Sequence, residues 1–126
     1  IIMALVYDLF SAVGEGTFKE FKNFYDGKIN QVNKNLNLNL LQMALTNDEQ
    51  PEEKMKIIEF LLRKGIDINY QEKQDQQNAL HIFYFNVWRP TVEYENTITN
   101  LLIEHGINVN QTDKYNATPL ILNYSP

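Results

Sequence analysis

The chain has 126 residues, of which 44% are hydrophobic and 21% are charged, with no cysteine and a formal net charge of −5. That apolar content is too high for a disordered tail. The absence of cysteine excludes disulfide scaffolds, thiolate metal sites and thiol nucleophiles. The acidic balance argues against a nucleic-acid binder, which needs clustered lysine and arginine to neutralise phosphates, and it predicts a basic partner.

The chain opens with an apolar run at residues 1–6, which reads IIMALV. A membrane span needs about 20 such residues, so this run is too short to cross a bilayer. No positively charged segment precedes it, and no small-residue cleavage site follows it. We predict a helix that packs against the core, and we expect no membrane partner.

Two later segments are near copies of each other. Residues 57–69 read IIEFLLRKGIDIN and residues 98–110 read ITNLLIEHGINVN, and their glycines, Gly65 and Gly106, are 41 residues apart. A second shared pattern follows each copy, as NALH at residues 78–81 and TPLI at residues 118–121, with earlier versions at residues 39–45 and 9–13. These spacings predict repeated units of about 40 residues in the middle of the chain.

These residues resemble the ankyrin repeat, a unit of about 33 residues that carries Thr-Pro-Leu-His near its first helix. Residues 113–120, DKYNATPL, match the start of such a unit, with Asn116 where the family usually has glycine. Asparagine tolerates a positive φ better than other non-glycine residues, and Asn37 and Gln76 hold the same place in the earlier units.

The resemblance covers about residues 8–124 and implies an all-α fold, an ankyrin-repeat solenoid of stacked helix-turn-helix units with finger-like turns. It implies a single domain, residues 1–126, with units at about 1–32, 33–72 and 73–112 and an incomplete unit at 113–126. Because a terminal unit needs a polar outer face, we expect the natural protein to continue past Pro126, or another chain to cover this end.

The middle two units are about six residues longer than the family's unit, and the excess is predicted between their helices, at residues 46–53 and 86–95. We predict a helix from Glu53 to Lys64, with apolar residues at helical spacing and Gly65 just past its end. Aromatic residues cluster in the third unit. Phe83 is expected in the core, and the candidates for exposure on the inserted loop are Phe85, Trp88 and Tyr94.

Patterns typical of catalysis are missing from the sequence. Neither His81 nor His105 stands in a triad context with a serine. The resemblance implies that His81 hydrogen-bonds the backbone of the neighbouring finger, and His105 suits the last turn of a helix. The acidic residues at 48–53 do not fit a calcium loop, so they are a solvated helix start or a contact patch for a basic partner. We predict no enzyme, no cofactor, no metal site and no small-molecule substrate.

The resemblance implies a concave groove, lined by finger tips and first helices, that binds another protein. A second candidate ridge lies on the inserted loops, where aromatics beside an arginine are the usual composition of interface hot spots. The candidate contact residues are Lys73, Asp75, Gln77, Asp113, Lys114 and Tyr115 on the fingers and Phe85, Trp88 and Arg89 near the second inserted loop.

We therefore predict a non-catalytic protein–protein interaction module in the cytoplasm. A narrower hypothesis is an immunity protein that binds and neutralises a cognate bacterial toxin, because an acidic inhibitor is steered towards a basic nuclease. The alternative is a viral or effector ankyrin protein that recruits host proteins. The composition, rich in asparagine, isoleucine and lysine, suggests an AT-rich genome and suits both. An enzyme is the hypothesis from another class.

Overall fold

The computed structural model describes residues 6–86 and 91–119. Over these ranges the chain forms six α-helices, and the only β-type pairing is an isolated bridge between Val32 and Asn39. The helices are α1 (Leu9–Glu15), α2 (Phe18–Phe24), α3 (Leu40–Ala44), α4 (Pro51–Arg63), α5 (Ala79–Asn86) and α6 (Val92–Glu104). A finger of loops and tight turns follows each helix pair: finger 1 (26–38), finger 2 (66–77) and finger 3 (107–117). The predicted N-terminal helix falls mostly on residues 1–5, outside the described ranges.

The helices stack in two rows. The inner row contains α1, α3 and α5, and α3 packs on both of its neighbours. The outer row contains α2, α4 and α6, and α2 packs on α4. Helix α6 joins α5 through a hydrogen bond of 3.0 Å between the Tyr84 hydroxyl and Thr99 Oγ1. Neighbouring pairs therefore share their apolar faces, and stability spreads along the stack through these contacts.

The outer helices bury the faces that the sequence predicts. Ile57, Ile58 and Leu61 of α4 are fully buried, and Leu62 is 6% exposed. In α6, Ile98 and Leu102 are buried at the matching positions. Each such side chain contributes roughly 1.5–3 kcal/mol of burial free energy before entropy is subtracted.

Both long outer helices begin within the segments that are predicted as insertions, 46–53 and 86–95. Helix α4 starts at Pro51, whose missing N–H is not needed at the first helical position. Glu52 and Glu53 occupy its first turn, where the helix dipole favours acidic groups. Helix α6 starts at Val92. The inserted residues therefore lengthen the outer helices, to 13 residues each against 7 in α2, and leave shorter loops than expected.

The aromatic residues of the third unit divide between core and surface. Phe83 is buried, as predicted, and Phe85 is 65% exposed. The expectation that Tyr94 is exposed is wrong, because α6 begins before it and turns its ring towards Phe83, with 6.1 Å between centroids. Tyr94 is only 8% exposed, its hydroxyl has no hydrogen-bond partner among the described residues, and burial raises the pKa of Tyr94 to about 12.

The three fingers share a turn that ends on a left-handed, non-glycine residue. These residues are Asn37 at φ 60°, Gln76 at φ 58° and Asn116 at φ 64°, which confirms that they stand in for the glycine of the family. Each turn is held by a side chain that accepts backbone N–H groups: Asn33 in finger 1, Glu72 in finger 2 and Asp113 in finger 3.

Replacing Gln76 with glycine is expected to raise the free energy of unfolding. A left-handed conformation costs an L-residue about 1–2 kcal/mol, and the greater freedom of glycine in the unfolded chain offsets part of the gain. We expect a net increase of about 0.5–1 kcal/mol, measured by urea denaturation. Gln74→Gly in the same finger is the control: Gln74 is outside the left-handed region, so that change should destabilise. Equal effects of the two variants on the free energy of unfolding would contradict the left-handed conformation of Gln76.

Candidate functional site

The inner surface is the side of the array formed by the finger tips and the exposed sides of the inner helices. At its N-terminal end, the tip of finger 1 and helices α1 and α3 enclose a cavity of about 640 Å³. Leu36 from the finger, Ser11 from α1 and Met43 from α3 all line it. Finger tips and inner helices therefore face a common space, as a binding groove requires.

Large apolar side chains stand exposed along this inner surface. Leu36 in finger 1 is 52% exposed and Tyr115 in finger 3 is 72% exposed. Phe85, 65% exposed, occupies in α5 the repeat position that Thr46, a residue lining the cavity, occupies after α3. Exposed apolar groups that recur on one side of a protein mark interaction sites more often than scattered ones do.

The tips of fingers 2 and 3 are joined to each other. The Lys114 ammonium lies 2.9 Å from Asp75 Oδ1, and the Lys114 backbone N–H donates to the Asp75 carbonyl at 3.0 Å. The hydrogen bond to Asp75 raises the pKa of Lys114. The same ammonium lies 5.1 Å from the centroid of the Tyr115 ring. These contacts present a charged pair and an exposed aromatic ring at one place on the inner surface.

The other predicted contact residues differ in how much of each side chain is exposed. Lys73 is exposed in the turn of finger 2. Gln77 is half-buried at the base of that finger, where its carbonyl accepts the Glu72 N–H. Asp113 is only 7% exposed, and its carboxylate accepts the backbone N–H groups of Tyr115 and Ala117 in the turn of finger 3; its contact with a partner stays a prediction. Trp88 and Arg89 lie outside the described residues.

His81 joins α5 to finger 3, which confirms the role that the resemblance implies. Its Nε2 lies 2.8 Å from the Ala117 carbonyl, and since a carbonyl only accepts, Nε2 carries the proton. Its Nδ1 lies within hydrogen-bonding distance of Asn78, 3.1 Å from the backbone nitrogen and 2.8 Å from Oδ1. Gln42 repeats the arrangement one unit earlier, accepting the Asn39 N–H and donating to the Gln77 carbonyl.

Asparagine side chains form a ladder between successive fingers. Asn69 Oδ1 accepts the Asn108 N–H at 2.7 Å, and Asn69 Nδ2 donates to the Gly106 carbonyl at 3.1 Å. Asn30 accepts the Asp67 N–H in the same way one unit earlier. The ladder gives the asparagine-rich composition a structural role, since the single side chain of Asn69 satisfies both a donor and an acceptor in the next unit.

A buried lysine that the sequence analysis did not identify joins the first two helix pairs. Lys54 of α4 is 1% exposed, and its ammonium donates to the carbonyls of Val13 and Gly14 at 3.2 and 2.6 Å. It also donates to Asn47 Oδ1 at 3.0 Å. The two carbonyls belong to the last turn of α1, the negative end of the helix dipole. Burial lowers the pKa of Lys54 to about 8, and the charges of Glu15 and other carboxylates oppose that shift.

A pair of carboxyl groups lies beside Lys54. A side-chain hydrogen bond with Glu49 raises the pKa of Glu15, and partial burial of Glu15 raises it further. Glu15 ends α1 and Glu49 lies in the loop before α4, so negative charge is concentrated where α1, this loop and α4 meet.

The described residues contain no arrangement typical of catalysis or metal binding. No three histidine or acidic side chains among residues 6–86 and 91–119 are placed to hold a metal ion. His105 lies at the end of α6, where its Nδ1 is 2.9 Å from the Leu101 carbonyl, as expected of a capping residue. None of the helices described is long and apolar enough to cross a membrane.

Stacked helix pairs, fingers joined by side-chain bridges and left-handed turn residues together define an ankyrin-repeat solenoid. No protein-family model matches the chain. It is 38% identical, over 76 residues, to ankyrin repeat protein B18 of vaccinia virus (strain Ankara) and of variola virus, and to ankyrin repeat protein B19 of vaccinia virus (strain Western Reserve). Each alignment covers 52% of this chain but only 13% of the viral protein. These relatives support placing the chain in the ankyrin repeat family.

Proposed function

We propose that this chain is a non-catalytic module that binds another protein through its inner surface. The observation that carries the proposal is the set of exposed apolar side chains on that surface, Leu36, Phe85 and Tyr115. The bridged tips of fingers 2 and 3 support it, because a rigid loop loses less conformational entropy when it binds. Lys73, Asp75 and Lys114 supply the charged rim of this surface.

Of the two narrower hypotheses, we favour a viral ankyrin protein that recruits host proteins. The matched relatives are poxvirus ankyrin repeat proteins, which supports this reading over that of a bacterial immunity protein. The net charge of −5 supports a basic partner in either case. A cytoplasmic location suits a recruiter and is part of the proposal.

The test compares two pairs of substitutions. The variant Phe85→Ala/Tyr115→Ala removes two exposed side chains from the inner surface. The control Phe24→Ala/Val92→Ala removes two from the outer helices, where these residues are 40% and 72% exposed. Tagged chains would be incubated with a human cell lysate, because one matched relative comes from a human variola isolate, and in parallel with a bacterial lysate. Retained proteins would be identified by mass spectrometry.

We expect a discrete partner from the human lysate whose retention falls about tenfold or more in the inner-surface variant and not in the control. A partner retained from the bacterial lysate alone would favour the immunity hypothesis. Retention that falls equally in both variants, or in neither, would contradict binding through the inner surface.

A further inference from the structure

A groove separates the two long outer helices, α4 and α6. It has a volume of about 480 Å³ and is lined by outer-row helices and the residue before α6, with no finger residue. Residues 51–59 of α4 form one wall and residues 91–97 form the other. Both walls include the residues by which the insertions lengthen the outer helices. The volume is within the range of 300–1,000 Å³ typical of ligand pockets.

The packing of the outer row explains why this groove stays open. Between α2 and α4 the rings of Phe18, Phe21 and Tyr25 gather around Phe60, with centroids 5.3–5.9 Å apart, and fill the interface. The described residues show no ring contact between α4 and α6. Tyr94, the aromatic residue of the α6 wall, turns instead towards Phe83 in the inner row.

The walls of the groove carry negative charge. Glu52 and Glu59 on α4 and Glu93 on α6 are exposed and form no ion pair within residues 6–86 and 91–119. The one cation among the described lining residues, Lys56, is already engaged: its ammonium lies 3.0 Å from Glu53 Oε2. Carboxylates on facing walls attract a cation that enters between them more strongly than either would alone.

The floor of the groove suits the stem of a long basic side chain. Met55 is half-buried, Tyr94 is 8% exposed, and both residues line the groove. Arginine and lysine pack their methylene stems along apolar surface while the charged head stays among polar groups.

We propose that this outer groove binds a basic segment of a partner protein, with an arginine side chain inserted between α4 and α6. The guanidinium pairs with carboxylates on both walls, and the stem packs against Met55 and Tyr94. Arginine is preferred over lysine because its planar fork bonds two carboxylates at once. The groove is separate from the inner surface, so the two sites are independent of each other.

The test uses a fluorescein-labelled peptide in which arginine alternates with alanine, and measures binding by fluorescence anisotropy at physiological salt. The variant Glu59→Gln/Glu93→Gln removes one carboxylate from each wall. The control Glu20→Gln/Glu104→Gln removes the same charge elsewhere, and glutamine at position 20 keeps the capping box of α2. A third variant, Met55→Lys, places a cation of the chain itself inside the groove. Circular dichroism would confirm that each variant remains folded.

We expect the groove variant to weaken peptide binding about five- to tenfold, Met55→Lys to weaken it at least as much, and the control to change it less than twofold. The matching lysine–alanine peptide should bind more weakly than the arginine peptide. Equal weakening by the groove variant and the control would show general charge attraction and overturn the proposal. Equally tight binding of spermidine, read by competition, would assign the groove to small cations and also overturn it.

Discussion

Replacing Lys54 with alanine is expected to lower the free energy of unfolding by about 2–4 kcal/mol. The change leaves a cavity where the aliphatic stem was packed, and it removes the donor that the Val13 and Gly14 carbonyls share. Because those carbonyls lie at the end of α1 and Lys54 lies in α4, the loss should loosen the first helix pair from the second. Urea denaturation followed by circular dichroism measures the change.

Lys56→Ala is the matched control for this experiment. Lys56 lies two residues further along α4, is exposed, and forms only a surface ion pair with Glu53. Its loss should cost less than about 1 kcal/mol. Lys54→Met separates the two causes, because methionine keeps most of the stem and loses only the hydrogen bonds. Comparable losses for Lys54→Ala and Lys56→Ala would show that the buried ammonium does not join the helix pairs.

The same lysine predicts a pH dependence of stability. Burial lowers the pKa of Lys54 to about 8, from 10.5 for an unperturbed lysine. Between these values the unfolded chain binds more protons than the folded chain, so the free energy of unfolding rises with pH. We expect a gain of up to about 2 kcal/mol from pH 8 to about pH 9.5, and no gain in Lys54→Met.

The neighbours of Lys54 do not disturb this window. The charged groups that face Lys54 are the carboxylates of Glu15, Asp48 and Glu49. Tyrosines with a raised pKa, Tyr84 and Tyr94 among them, reduce stability only above about pH 10, where the unfolded chain begins to lose their protons. A wild-type stability that stays flat from pH 8 to 9.5 would contradict the lowered pKa.

The sequence was sufficient for features that repeat. Two copies of one helix ending predict the stacked pairs, and the alignment of Asn116 with the family's glycine predicts its left-handed turn. The local sequence pattern predicts these features because each of them depends on residues that are close together in the chain. The bridge made by His81 was implied by the resemblance of NALH to the family's Thr-Pro-Leu-His motif, which is local even though the partner, Ala117, lies in the next unit.

Features that depend on side-chain packing or on the bounds of a helix were not predictable. The sequence shows Lys54 among acidic neighbours at the start of a helix, which is typical of an exposed residue. Lys54 is buried because the end of α1 packs against it, and the residues next to Lys54 in the chain do not indicate this contact. Tyr94 was expected on a loop because the sequence does not show where the insertion ends and α6 begins. Asp113 was expected at the surface because it lies in the turn of finger 3. Its exposed fraction of 7% shows instead that the side chain is buried beneath that turn.

The inner surface and the outer groove arise from different parts of the repeat. The first uses finger tips, which every unit supplies. The second uses the residues that lengthen α4 and α6, and α2 has no equivalent of them. A partner bound at one should therefore leave the other accessible, so the variants of Phe85 and Tyr115 should not alter binding of the arginine peptide to the outer groove.

Replacing His81 with leucine is expected to lower the free energy of unfolding by about 2–3 kcal/mol. Leucine fills a similar volume but leaves the buried Asn78 N–H without its acceptor and removes the donor to the Ala117 carbonyl. The tie between α5 and finger 3 is then lost, so hydrogen exchange in finger 3 should rise more than exchange in finger 1.

The chain itself supplies the control for this substitution. Gln42 performs the same task between α3 and finger 2, because its amide accepts at one end and donates at the other. His81→Gln should therefore cost less than about 1 kcal/mol, while the reciprocal Gln42→Leu should cost as much as His81→Leu and should expose finger 2 instead of finger 3. If His81→Gln destabilises as strongly as His81→Leu, the imidazole has a role that a bridging amide cannot fill, and the equivalence of the two units fails at this position.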